Sequence, residues 1–549
     1  MKRIWHRQYQ EGVPLEVDID GYTSMVDFLD RASRTHPHET AMVCLGVELT
    51  YSELDILSRA FASYLLNVEG LLPGDRVAVM LPNLLHYPVV VYGALRAGLA
   101  LVNLNPHYTA REVLFNLQDS GASLVVACEA SLGVIPDHLD GKPCKVVTAT
   151  AEDMQSFSKL AALGEVHDEE APSASQEGRG HRFNDALALG AAHAFVEPVV
   201  TPDTIAFLQY TGGTTGKLKA AVLTHRNIIA NLQIMCDWFR SGFETGDECI
   251  VTVLPIYHIM GLSVGCFFSV AMIRKNVFLP NPRDLQHFVA EYRAHRFTFL
   301  LGVNTLFNAL LEYAPFCSQN PHTLRQSVGA GAQVEQAVAR RWASLTGCPL
   351  LAAYGLTEAS PSVCAMPLHI AGHADTVGVP FSSTDIVLLD EEGNEVESGQ
   401  AGEIAVRGPQ VMRGYWNCPE ETAAAFTTDG YLRTGDIGVV DQDGFVKIVD
   451  RKKDVVLVSG FNVYPNEIEA IVCGHDKVIE CACIGVPDEK TGEALKVFVV
   501  ARDRGLTGET LERHAREHLT AYKVPRQFEF VEALPKSPVG KILRRALRS

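Results

Sequence analysis

The chain lacks an apolar run long enough to cross a bilayer as a helix. Its most apolar stretch, Ile256–Ile273, is interrupted by His258 and several small residues. It falls short of the roughly 20 consecutive apolar residues a span needs and reads as a buried helix. Basic charge is also scarce: 47 Lys and Arg stand against 65 Asp and Glu, a formal net charge of −18. A nucleic-acid scaffold needs a basic face, so none is expected. The thirteen cysteines include no C-x-x-C pair, and an odd, scattered set reads as reduced thiols in a cytoplasmic protein. The N-terminal MKRIWHRQYQEG has no apolar h-region, so no signal peptide is expected. No internal repeat is evident.

What is present is ordinary globular material. The 549 residues are 47% hydrophobic and 20% charged, too long for one core and enough for about two to four folding units. Thr50–Asn67 opens with a capping-box pattern, Thr50 with Glu53, and carries one apolar face. Arg76–Met80 and Leu124–Ala127 read as strands and Pro88–Ala97 as a helix, an alternation that predicts an α/β domain with a largely parallel sheet. Residues 149–198 are polar, acidic and rich in small side chains, and read as a surface insertion or flexible loop. From about Val377 short alternating strands predict a β-rich subdomain, 377–449, within an N-terminal domain of 1–449. The texture changes again at Asp450–Asp454, which we read as a hinge, and 455–549 as a compact α+β unit.

One stretch concentrates polar chemistry. Tyr210–His225, YTGGTTGKLKAAVLTH, follows the strand-like Ile205–Gln209 and sets glycines among hydroxyls and lysines. Such a loop can aim several N–H groups into one concavity that suits a phosphate. It is not a Walker A loop: Leu218 follows Gly216-Lys217, and Thr211 holds the first glycine position. Alone it could equally be a surface turn. Four further stretches could each be bland as well. They are YGLTE (Tyr354–Glu358), TGD (Thr434–Asp436, read as a turn), Asp450-Arg451, and PKSPVGKILRR with Lys541.

Together these stretches resemble the adenylate-forming (AMP-binding) acyl-CoA synthetase superfamily. YTGGTTGKLKAAVLTH, LPIYH, YGLTE, YLRTGD, DRKKD, SGFNVYPNEIE and PVGKILRR occur in that family's order from about Tyr22 onward. The flavour is closest to bacterial long-chain fatty acyl-CoA ligases. The resemblance implies a large N-terminal domain, a hinge pivoting at Lys453, and a small mobile C-terminal lid. It implies that Thr211, Gly212, Gly213, Thr214, Thr215, Gly216 and Lys219 wrap the ATP phosphates. Gly329, Tyr354 and Gly355 would flank adenine, Thr357 would meet the α-phosphate, and Glu358 with Thr211 would hold Mg²⁺. Asp436 and Arg451 would bind ribose, His258 would lie beside the acyl carboxylate, and Gly460 would line the coenzyme A entrance. Lys541 would bridge carboxylate and ATP. No side chain need become covalently attached, so the lack of an obvious Ser/His/Asp set is no objection.

The implied activity is ATP-dependent ligation of a medium- to long-chain fatty acid to coenzyme A, with ATP and Mg²⁺. Alternatives are loading of a carrier-protein phosphopantetheine, a ligase for another hydrophobic carboxylate, or a non-catalytic nucleotide-binding protein. Transient peripheral membrane contact through Arg544, Arg545 and Arg548, and a homodimer, are further expectations. Two departures from the family pattern raise questions: Ala220 stands where glycine is common, and GAGA at Gly329–Ala332 is less glycine-rich than in relatives.

Overall fold

The computed structural model describes residues 3–163, 180–211, 218–243, 246–370, 375–397, 399–459, 461–488, 490–503, 505–537 and 540–548. Apolar strands alternating with one-faced helices force most of the chain into parallel sheets, since each crossover helix buries its stripe against a sheet face. A nine-stranded sheet runs in the order Val379–Pro380, Ser362–Ala365, Leu350–Gly355, Gln326–Gly329, Phe299–Gly302, Cys249–Thr252, Lys275–Phe278, Thr40–Cys44, Val47–Thr50. Its six central strands, from Leu350–Gly355 to Thr40–Cys44, are parallel. A six-stranded sheet, Lys219–Thr224, Ile205–Thr211, Ala100–Asn103, Arg76–Met80, Leu124–Cys128, Val146–Ala149, is parallel except for its first hairpin.

One continuous apolar core joins the two sheets. Every residue of helix His86–Arg96 is buried in it, as expected of a helix covered on all sides. Its Arg96 is wholly buried and is neutralised by Asp30 and Asp55. Helix Tyr51–Ser63 begins at the expected capping box: Glu53 N–H donates to Thr50 Oγ1 at 3.2 Å, and Thr50 N–H donates to Glu53 at 2.8 Å.

Two local expectations are corrected. Residues 149–198 are not simply a surface loop, because helices Phe157–Leu163 and Phe183–Ala191 pack onto Tyr51–Ser63. Phe183 stacks on Phe61 at 5.5 Å, and a Cβ on Gly190 would lie 1.9 Å from Ala60 O. The polar middle of the segment, 164–179, lies outside the described residues. The TGD triplet is not a turn either. It lies inside strand Leu432–Val440 of a four-stranded antiparallel sheet with Asp385–Leu389, Gly402–Arg407 and Val446–Arg451. Pairing steps from Ala405–Arg433 to Glu403–Ile437, a bulge with Gly435 at φ 71°. Such a bulge re-aims a side chain, here Asp436.

From Val456 a separate five-stranded sheet forms, with helices Pro465–Cys473 and Gly508–His518 over its own core of Val463, Ile468, Val472 and Leu511. The whole is a mixed α/β structure with a large N-terminal and a small C-terminal domain. All thirteen cysteines are free. Among the described residues no helix is long and apolar enough to cross a membrane.

Candidate active site

The C-terminal ends of neighbouring parallel strands gather the site, the place where open α/β sheets bind ligands. Gly302, Gly329 and Ala352 stand side by side in register. Beyond them the chain continues into Val303–Thr305, Ala330–Gly331 and Tyr354–Glu358, and beyond Cys249–Thr252 it reaches His258. Residues dozens of positions apart in sequence therefore sit about 5 Å apart per strand. Gly355 has no room for a side chain, since a Cβ would lie 2.1 Å from Pro361 O; on Gly329 it would meet Val334 at 2.3 Å. In the GAGA run, Ala330 is buried and Gly331 takes the left-handed conformation at φ 77°. A cavity of about 350 Å³ lined by Gly242, Arg325 and Pro349 lies at the opposite strand ends, away from this cluster.

The loop before His258 is pinned from both sheets. Asn83 donates to Leu254 O at 3.0 Å and accepts from Ile256 N at 2.9 Å, while Gln209 donates to Tyr257 O at 2.9 Å. His258 Nε2 is buried without a partner among the described residues. Burial lowers its pKa to about 4, so the ring is neutral at pH 7.

Asp436 is the hub of one polar cluster. Only 4% exposed, it accepts from Tyr354 Oη at 2.7 Å and pairs with Arg451 Nε at 3.0 Å. Burial pushes the Tyr354 phenol far up, so it stays a donor and the bond fixes the ring plane. A second network was not legible in the sequence. Tyr415 Oη donates to Glu358 Oε1 at 2.9 Å, and the Lys219 ammonium lies 5.1 Å from the Tyr415 ring centre. The segment holding Tyr415 is stitched onto strand Lys219–Thr224: Arg413 N–H donates to Val222 O and Trp416 N–H to Ala220 O. Tyr415 stood in the GPQVMRGYW run, where no periodicity or motif chemistry marked it. Thr357 begins the short turn Thr357–Ala359, and Met412 N–H holds Glu358 O at 2.7 Å.

Thr211 and Lys219 face each other across the mouth of the hairpin, paired in register. Gly212, Gly213, Thr214, Thr215 and Gly216, and also Gly460, lie outside the described residues. Ala220 is an ordinary strand residue paired with Tyr210 and wholly buried; no left-handed conformation is required of it.

The C-terminal segment folds back onto this cluster. Gly540, at φ 79°, abuts the N-terminal domain so closely that a Cβ would lie 2.7 Å from Thr305 Oγ1. Lys541 is exposed at its surface yet is surrounded by enough protein to be desolvated. That crowding lowers its pKa to about 8, with Arg451, Arg544 and Lys453 lowering it further and Asp436 opposing them. Lys453 lies exposed in the turn Lys452–Asp454, its pKa lowered first by desolvation. Arg544 and Arg548 are both ion-paired within the protein. Arg544 pairs with Asp450 at 3.2 Å and Glu469 at 2.6 Å, and Arg548 with Asp454 at 2.9 Å.

The donor set suits a hard cation and a polyphosphate. Thr211 Oγ1 is buried without a partner among the described residues, and of the Glu358 carboxylate only Oε1 has a described hydrogen bond. A hydroxyl and a carboxylate oxygen are ligands that Mg²⁺ accepts.

A two-sheet body that presents hydroxyls, a carboxylate and a buried acidic hub, with a lysine brought to them by a small C-terminal domain, has the adenylate-forming fold. Solved structures agree. Against ATP-bound MatB from Rhodopseudomonas palustris the TM-score is 0.79 at 29% identity, covering 95% of this chain and 98% of that one. Against the anthranilate CoA ligase AuaEII the TM-score is 0.84 at 23% identity, over 97% of both chains, a likeness of fold. The chain belongs to the AMP-binding enzyme family, whose model matches residues 29–416, and the model of that enzyme's C-terminal domain matches 467–541. It is 44% identical over its full length, and 98% of the relative's, to a long-chain-fatty-acid–CoA ligase of Salmonella typhimurium. To the ligase of the same name from Bacillus subtilis it is 34% identical at the same coverage.

Proposed function

We propose that the chain is an ATP-dependent fatty acid–CoA ligase acting on medium- to long-chain acids. The observation that carries this reading is its full-length likeness to long-chain-fatty-acid–CoA ligases, joined to a site that retains each charged group the chemistry needs. In the first half-reaction a carboxylate oxygen attacks the α-phosphorus of ATP and the bond to pyrophosphate breaks. Anion meets anion, so catalysis must come from alignment and charge neutralisation. Lys541 neutralises the approaching groups, and Thr357 contacts the α-phosphate. Asp436 and Arg451 hold the ribose hydroxyls, and the Tyr354 ring, fixed by Asp436, is the stacking plane for adenine. Lys219, with the 211–216 loop, takes the terminal phosphates. Thr211 and Glu358 would hold Mg²⁺, which supplies charge neutralisation on the phosphates when bound. His258, neutral and with an unspent Nε2, faces the carboxylate.

In the second half-reaction the thiol of coenzyme A attacks the acyl carbon, its proton leaves to solvent, and AMP departs. The face occupied by Lys541 must then be cleared. We assign 450–454 as the hinge, with Lys453 as pivot, between a body of 1–449 and a lid of 455–549, Gly460 lining the thiol's entrance. The test is incubation with ATP, Mg²⁺, coenzyme A and acids from C6 to C18, following AMP and acyl-CoA. AMP release that requires coenzyme A and favours the longer acids is expected. AMP release unaffected by coenzyme A, or transfer only to a carrier protein, would overturn it.

A further inference from the structure

The PVGKILRR motif that holds Lys541 carries a further cation, Arg544, which the chemistry above leaves unused. Its guanidinium is shared across the domain boundary. Nε donates to Glu469 Oε1 at 3.0 Å and Nη2 to Glu469 Oε2 at 2.6 Å, a two-pronged grip, while Nη2 also reaches Asn466. Glu469 and Asn466 both belong to helix Pro465–Cys473 of the C-terminal domain. The remaining nitrogen, Nη1, donates to Asp450 Oδ1 at 3.2 Å, on strand Val446–Arg451 at the body side of the Lys453 pivot, and lies 3.6 Å from Asp454 Oδ2. Asp450 is completely buried, and its Oδ2 accepts from Asn466 N–H at 2.8 Å. Only a planar fork can serve three acceptors this way.

Arg544 is also rigidly linked to Lys541. The intervening backbone closes a small hairpin, with Leu543 N–H donating to Pro535 O and Ser537 N–H to Lys541 O, both at 2.8 Å. Wherever Arg544 is held, Lys541 is held.

We propose that Arg544 is a positioning residue for adenylate formation: clamped to Glu469 on the lid and to Asp450 on the body, it fixes Lys541 over the Asp436 cluster, and the Asp450 contact is the latch that opens when the lid turns. This rests on the ligase reading above. A turn about 450–454 carries Glu469, Asn466 and Arg544 away together, so the Arg544–Glu469 grip is kept while Asn466 gives up Asp450 and Val449 O. Asp450 stays behind and loses both of its lid donors. It is therefore the charged acceptor whose partners distinguish the two poses. Burial pushes its carboxyl up and Arg544 opposes that, so an unlatched Asp450 must be met by water. An ionic latch permits this, where an apolar one would expose hydrophobic surface.

Asp450→Asn keeps the shape and leaves the Arg544–Glu469 grip intact. Pyrophosphate release should fall about tenfold, the scale of one lost charge-assisted contact, while acyl-CoA formation from pre-made acyl-AMP holds or rises. Trypsin should cut faster at Lys452 and Lys453 as the open pose gains population. Arg544→Lys, whose compact ammonium cannot grip Glu469 with two parallel bonds and also span to Asp450, should show the same split, and a melting curve on each variant separates a loose lid from an unfolded one. Equal loss in both half-reactions, or no loss in either, overturns the positioning role. Wild-type enzyme run alongside distinguishes the two ideas. If it makes no acyl-CoA from any acid, the ligase reading fails and takes this one with it. If it completes both half-reactions while the variants fail to separate them, only the latch fails.

Discussion

Trp342 and Arg544 represent two ways of holding this molecule together. Trp342 is wholly buried in the body, 4.8 Å from the Phe307 ring and 5.8 Å from that of Phe316. Contacts of another kind join body and lid, among them Arg544 with Asp450, Asn466 with Val449 O at 3.1 Å, and Arg502 with Glu312 at 3.4 Å. An apolar contact opens only by exposing area at roughly 25 cal/mol per Å². An exposed charged contact opens by exchanging partners for water at little net cost, and a buried one such as Arg544–Asp450 opens only where water replaces the lost partner. A body that must stay rigid and a lid that must move call for these two different interfaces.

The sharpest test removes one contact of each kind. Trp342→Ala should destabilise the body by about 3–5 kcal/mol, as large aromatic truncations do. The melting temperature falls, and both half-reactions decline together with the folded fraction. Lys541→Ala should leave the melting temperature close to wild type and slow adenylate formation by roughly 10²-fold, the scale of losing a preorganised transition-state donor. Conversion of pre-made acyl-AMP to acyl-CoA should be nearly spared. If Lys541→Ala lowered both half-reactions equally, the lid would be a structural unit like the body and the contrast would collapse.

The site edge sits between these extremes. Glu358→Gln keeps the Tyr415 bond possible but removes charge, so ATP turnover should drop about tenfold and partly recover at high Mg²⁺. Unchanged Mg²⁺ dependence would return Glu358 to a structural role. The charge of Lys541 gives a related test through pH. Its folded pKa is lowered to about 8, so the ammonium is present below that value and lost above it. kcat/KM for ATP, which reports the free enzyme, should fall above pH 8. The limb should move upward in kcat, because bound polyphosphate favours the cation. Lys541→Arg should abolish the limb while lowering the plateau. A limb unmoved in that variant would assign it to another group.

The same contrast explains what could be read from the sequence. Local periodicity and caps placed Arg76–Met80 and the helix after Thr50 closely, because the same residues form the element and bury its face. Motif order placed Tyr354, Glu358, Asp436, Arg451 and Lys541 on elements that the structure brings to one region. Tyr415 escaped because its role lies in a bond to Glu358, 57 residues away, and in a cation over its ring. The pairing of Arg544 is not legible in the sequence because its partners are 75 and 94 residues distant. Asp436 was placed in a turn because a bulge inside a strand uses the same glycine a turn would. Residues 149–198 read as loop since a polar stretch hid the apolar faces of two short helices.

The smallest effect tests the claim that the lid contact is cheap to open. Arg502 reaches from the lid to Glu312 at the end of helix Asn304–Glu312, with both side chains more than two-fifths exposed. Glu312 is shared with Arg341 at 2.8 Å, so Arg502→Gln removes the bond across the boundary and leaves the carboxylate paired. Exposed pairs of this kind contribute about 0–1 kcal/mol. Adenylate formation should therefore change by less than about fivefold, with no change in melting temperature. Salt should erase even that, because the Debye length shrinks from about 8 Å at physiological strength to about 3 Å at 1 M. A large, salt-independent loss in Arg502→Gln would mean that the interface is locked rather than latched. The difference between body and lid would then have to be sought in the hinge alone.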